Sequence, residues 1–86
     1  MREIDLLFFA RLREVLGVGH ERLSLPETVR TVADLMGLLC QREGKWAEEL
    51  GGKRLFRVAI NQEMASLDAE IPAGAEVAIF PPVTGG

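Results

Sequence analysis

TVADLMGLLC, Thr31–Cys40, is the stretch around which the rest of the chain arranges itself. Thr31 and Asp34 stand three apart, the spacing at which a threonine hydroxyl caps a helix and an acid reaches back to the cap's own amide. Val32, Leu35, Met36 and Leu39 then fall at i, i+3, i+4 and i+7, so one face of the helix is apolar and needs a surface to cover. Gly44 is the expected terminator. The segments on either side alternate in the manner of strands, which supply that surface.

Upstream, REIDLLFFA (residues 2–10) puts Ile4, Leu6 and Phe8 on one face, while the other begins polar at Glu3 and Asp5 and turns apolar at Leu7 and Phe9. RLREVLG reads as a short helix closing at Gly17. ERLSLPE reads as a second strand, with Leu23 and Leu25 on one side. Downstream, KWAEELGG is one further helical turn ending at Gly51 and Gly52. Trp46 is expected as an anchor under the sheet edge, and Glu48 and Glu49 on a solvated face. LFRVAIN alternates with Phe56, Val58 and Ile60 inward, Asn61 to Glu63 form a turn, and Met64 to Ser66 form a short strand. A turn at Pro72-Ala73-Gly74 leads to a last strand in which Val77 and Ile79 oppose Glu76, Ala78 and Phe80. The order β-β-α-β-β-β predicts an α+β fold of the β-grasp type: a mixed sheet, one main helix packed on one face, and an extended C-terminal tail. Residues 1–80 make the domain and 81–86 a flexible tail.

Composition narrows the function. Eighty-six residues support one core. A net charge of -3, with ten scattered Lys and Arg, gives no basic stripe for nucleic acid. No run approaches the roughly 20 apolar residues of a membrane span, and the start lacks a signal-peptide pattern, so a cytoplasmic protein without a membrane partner is expected. One cysteine and one histidine exclude an internal disulfide and a structural zinc cluster, and no metal is expected. His20, in the loop GVGHER, reads as an exposed imidazole, and Cys40 as a partly buried bystander. Gly17-Val18-Gly19 lacks the rest of a phosphate-loop pattern. The body offers no nucleophile beside a tuned base.

The remaining reactive group is the carboxylate of Gly86. Ionised above a pKa of about 3.5, it is a poor electrophile until something activates it. Gly85 and Gly86 carry no Cβ and can thread a narrow channel. Pro81 and Pro82, followed by Val83 and Thr84, favour an extended spacer, and six residues reach about 20 Å at about 3.3 Å each.

The string GAEVAIFPPVTGG, with LLFFARLREVLG near the start and VAINQE in the middle, resembles the small, sulfur-carrier subunits of molybdopterin synthase, a family of ubiquitin-like β-grasp proteins. The resemblance implies that Gly86 is adenylated by a partner similar to the ubiquitin-activating enzymes, which consumes ATP, and is then converted to a thiocarboxylate. It implies a heterotetramer of two small and two large subunits, in which Gly86 donates sulfur to cyclic pyranopterin monophosphate held by the large subunit, forming the dithiolene of the molybdenum cofactor. No cofactor is implied as permanently bound, and the acid–base residues belong to the large subunit, so this chain is a sulfur-donor subunit rather than a self-sufficient catalyst.

In a β-grasp sheet one face is covered by the helix and the other is open. Leu7, Phe9, Ala78 and Phe80 are expected on the open face, with Phe9 and Phe80 adjacent because the first and last strands of this fold are parallel neighbours. Phe9, Met64 and Phe80 are the expected partner contacts, joined by Arg11 and Arg13 and by the tail residues 81–84. Three rival readings share the fold. A ubiquitin-like modifier is joined to target lysines through its terminal glycine, a carrier for thiamine-thiazole formation differs in its sulfur acceptor, and a passive binding module does not use its tail.

Overall fold

The computed structural model of the chain describes residues 2–42, 44–50 and 56–80. Along the chain run β1 (Arg2–Phe8), α1 (Ala10–Leu16), β2 (His20–Leu25), α2 (Val32–Cys40), α3 (Lys45–Leu50), β3 (Arg57–Ile60), β4 (Glu63–Ala65) and β5 (Glu76–Phe80). The predicted cap of the main helix is present in full. Thr31 Oγ1 accepts from the Asp34 amide at 3.2 Å, and Asp34 Oδ2 accepts from the amides of Arg30 at 3.1 Å and Thr31 at 3.2 Å. Those two backbone donors, Arg30 first, hold the Asp34 carboxyl below its ordinary pKa. Val32, Leu35 and Leu39 are fully buried, so the stripe read from spacing is the face the helix buries.

Its end differs from expectation. The Gln41 and Arg42 amides bond back to Leu38 and Leu39, tightening the last turn, and α2 stops at Cys40. Gly44, with φ 74°, lies outside α2 and instead offers its carbonyl to the Glu48 amide at the start of α3. Gly17 does close α1 as expected, in the left-handed region at φ 75° with its amide on Arg13 O.

The strands form one sheet in the order β2-β1-β5-β3-β4. β1 and β5 run parallel, and the other three pairings are antiparallel. β1 and β5 thus lie at the centre, where Ile4, Leu6, Phe8, Val77 and Ile79 meet α2 with Leu12, Leu25 and Val58 around them. Phe56 and Ile60 are half-buried against the same cluster. A two-residue turn joins β3 to β4 with Asn61 at φ 50° and Gln62 at φ 70°. Asn61 also bridges to β5, its amide donating to Glu76 O and its Oδ1 accepting from the Glu76 amide. At the opposite end, Arg2 donates to the carbonyls of Ile71 and Val29 and ties two loops to the start of β1.

α3 is bound more tightly than its sequence suggests. Trp46 meets Phe8 edge-on, with centroids 5.4 Å apart, and the Arg42 guanidinium lies 4.4 Å over the Trp46 ring. The same guanidinium grips both Glu21 oxygens, at 2.8 and 2.5 Å, linking α3 to β2 through one arginine. Glu49, expected on a solvated face, is buried with 5% of its surface exposed. The short helix α3 packs against α1 and α2 and buries the adjacent Glu49 and Leu50, and Arg11 supplies the Glu49 carboxylate with a charge partner. Gly51 and Gly52, the expected end of α3, lie outside the described residues.

The hydrogen bonds from Arg42 hold the Glu21 carboxyl below its ordinary pKa, outweighing the opposing effect of its partial burial. Because the folded-state value is the lower one, the stabilisation is present at neutral pH and is lost as pH falls through the acid side of the carboxylate range. Glu21→Gln is expected to cost about 1 kcal/mol at pH 7. Thermal melts at neutral pH and near pH 3 check this, and the gap between variant and wild type should close in acid.

Candidate docking face

The sheet face away from α2 is built in rows by the strand register. His20, Leu7, Ala78, Ala59 and Met64 line up across β2, β1, β5, β3 and β4. Arg22, Asp5 and Glu76 form the next row away from the tail. On the tail side, Phe80 pairs with Arg57. Phe9 stands just past the end of β1 with extended backbone, and Ala10 then turns the chain off the sheet at φ 53°. A left-handed conformation in a residue with a Cβ costs about 1 kcal/mol, and it releases Phe9 from the strand direction. The Phe9 ring stacks on that of Phe80, with centroids 4.9 Å apart and planes 9° from parallel.

The adjacency of Phe9 and Phe80 expected from parallel β1 and β5 is therefore present. Phe9 is 41% exposed and Met64 61%, two large apolar side chains on one face. Ala78 was expected on the open face. It points to the open side by register, yet it and its cross-strand partner Ala59 are buried, because a methyl group lying between larger neighbours is out of reach of water. Leu67, 62% exposed in the loop after β4, was not foreseen, since a single leucine between Ser66 and Asp68 carries no periodic signal.

The two arginines of α1 have structural engagements within the chain. Arg11 Nε lies 3.2 Å from Glu49 Oε1, while most of the Arg11 side chain remains exposed. Arg13 lies over Gly19. A Cβ at position 19 would meet the Arg13 Nε at 3.0 Å, so a side chain there has to push the guanidinium aside. Pro81, Pro82, Val83, Thr84, Gly85 and Gly86 lie outside the described residues. Arg57, not singled out from the sequence, also lies on this face. The alternation that sends Phe56, Val58 and Ile60 inward sends Arg57 outward beside Phe80.

Elsewhere the domain holds little reactive chemistry. His20 is not in a loop but opens β2, where pairing with Leu7 places its Nε2 3.2 Å from Asp5 Oδ1. Partial burial pushes the Cys40 thiol pKa up, away from the thiolate a nucleophile needs. Among the described residues no group of three or more His, Cys, Asp or Glu could hold a metal ion, and no helix is long and apolar enough to cross a membrane.

A mixed five-stranded sheet with parallel central strands, a capped helix across one face and an aromatic pair at the exit of the last strand define a ubiquitin-like β-grasp domain. The chain belongs to the ThiS family, whose model matches residues 6–86. It is 40% identical over 83 residues to the molybdopterin synthase sulfur carrier subunit of Haemophilus influenzae, with 96% of this chain and 99% of that protein covered. Among solved structures it is similar to a putative molybdopterin converting factor, subunit 1, from Pyrococcus furiosus, with TM-score 0.76 and 31% identity over 96% of this chain and 100% of that one. It is also similar to small archaeal modifier protein 1 of Haloferax volcanii, with TM-score 0.70 and 28% identity over the same shares.

The ring stack predicts a measurable coupling. Phe9→Ala and Phe80→Ala should each leave the domain folded. In a double-mutant cycle followed by denaturant unfolding, the pair should show an interaction of about 1 kcal/mol.

Proposed function

We propose that the protein is the sulfur-carrier subunit of a molybdopterin synthase, with the Gly86 carboxyl as the group that carries the sulfur. The observation that carries this reading is the Phe9–Phe80 stack. It sets an aromatic pair, Phe9 exposed and Phe80 half-buried, at the point where β5 hands over to the segment Pro81–Gly86, so a partner gripping the rings also receives the tail. The likeness to sulfur carrier subunits along nearly their whole length supports it.

Activation follows from carboxylate chemistry. A Gly86 oxygen attacks the α-phosphate of ATP on an adenylating enzyme, pyrophosphate leaves, and the carboxylate becomes a mixed anhydride with AMP. A sulfur nucleophile then attacks the carbonyl and expels AMP, leaving a thiocarboxylate. That sulfur bonds to a carbon of cyclic pyranopterin monophosphate in the large subunit, water then cleaves the acyl–sulfur bond and returns Gly86 to a carboxylate, and two such donations complete a dithiolene in an assembly of two small and two large subunits. This chain contributes positioning. Its rigid sheet holds the docking face, and its tail delivers the sulfur into a partner that supplies the acid–base groups.

The test is intact mass spectrometry after incubation with an adenylating enzyme, ATP and a sulfur source. Wild type should gain the mass of one oxygen replaced by sulfur, and a chain lacking Gly86 should gain nothing. An adenylate that forms but never exchanges for sulfur would instead favour the modifier reading, for which the likeness to an archaeal modifier protein speaks, and isopeptide conjugates on lysines would then be sought. Calorimetry with the large subunit should show Phe80→Ala weakened about tenfold or more while its melt remains cooperative. Unchanged affinity would remove the aromatic pair from the interface.

A further inference from the structure

The open face is polarised. The acids of β1 and β5 on this side, Glu3, Asp5 and Glu76, all lie in the rows remote from the tail. They are partly answered within the sheet: Arg22 Nε is 3.4 Å from Glu3 and 3.8 Å from Asp5, and His20 is 3.2 Å from Asp5. Four residues along β1, about 13 Å at about 3.3 Å per residue, separate Asp5 from the Phe9 end. At that end the charge is positive. Arg57 is exposed, faces the same side as Phe80 from the neighbouring strand, and among the described residues makes no side-chain hydrogen bond or ion pair.

In water a solvated guanidinium needs no partner. Its position changes that as soon as the face is covered. A protein that buries the Phe9–Phe80 stack also strips water from Arg57, its direct cross-strand neighbour, and a desolvated guanidinium is strongly unfavourable unless a carboxylate meets it. The remote acids cannot swing across to serve, because the row of Leu7, Ala78 and Ala59 lies between. The counter-charge has to come from the partner.

We infer that the face accepts a protein surface carrying an apolar recess for the Phe9–Phe80 stack and an Asp or Glu side chain opposite Arg57, and that this ion pair selects the cognate partner. The inference rests on the functional reading above, in which that partner is the large synthase subunit. Apolar contact supplies much of the grip but tolerates many partners. A surface with a neutral or basic group at this position would leave Arg57 buried without a counter-ion, or set it against a like charge, and would be refused on that account. The remote acidic rows fix orientation, since a docking pose turned end for end would set the partner's acid against Asp5 and Glu76.

Calorimetric titration of the full chain with the large subunit from the same organism, at low and at raised ionic strength, tests this. Arg57→Glu should weaken binding on the order of a hundredfold and Arg57→Gln about tenfold, while Arg57→Lys stays within a few-fold of wild type. All three should melt at the wild-type temperature, because Arg57 holds nothing within the domain. The wild-type affinity should fall with salt more steeply than that of Arg57→Gln. Equal affinity of wild type and Arg57→Glu overturns the inference while the functional reading stands. Failure of the wild type itself to bind overturns both.

Discussion

The parallel pairing of β1 with β5 is the contact on which the domain depends. It joins residues 2–8 to residues 76–80, so nearly the whole chain is a loop closed by one ladder running from Asp5–Glu76 to Phe8–Ile79. Everything else hangs from it. β2 and β3 add to its outer edges, α2 covers one side of it, and the opposite side presents what the register brings to the surface. Closing so long a loop is entropically costly, and the return is the central apolar layer of Ile4, Leu6, Phe8, Val77 and Ile79. That layer forms only in one register. A slip by one residue would turn Glu3 and Asp5 into the core and Leu6 and Phe8 out of it.

What could be read beforehand was whatever rests on period and local chemistry. The cap at Thr31, the buried stripe of α2, the closure of α1 at Gly17 and the alternation of β1 and β5 are properties of neighbours in sequence, and each is found where the pattern places it. Two of the misreadings share a cause, which is that the deciding partner is distant. Glu49 reads as solvated until Arg11, 38 residues away on the neighbouring helix α1, is seen beside it. His20 reads as loop until Leu7 draws it into a strand. Gly44 was expected to stop a helix that Gln41 and Arg42 had already ended by tightening the last turn.

The candidate docking face was legible in outline because its signals are local. Alternation assigned the aromatic residues to the open side, and the β-grasp order made Phe9 and Phe80 neighbours, so the stack followed from two local readings and one rule of topology. Its electrostatic character did not emerge, because Arg57 lies in a strand read for its inward residues alone. Ala78 points to the open side as read, but its burial was not foreseen. Exposure depends on the height of the surrounding side chains, and that is known only once five strands are side by side.

The position of β5 has a mechanical consequence. It is gripped on both sides, parallel to β1 and antiparallel to β3, and it ends at Phe80. Traction applied to the Phe80 end along the strand axis therefore loads both ladders in shear. Their rungs share the force together instead of parting one after another as a peeled edge strand would. The domain is, by this geometry, hardest to pull apart along the axis of its last strand.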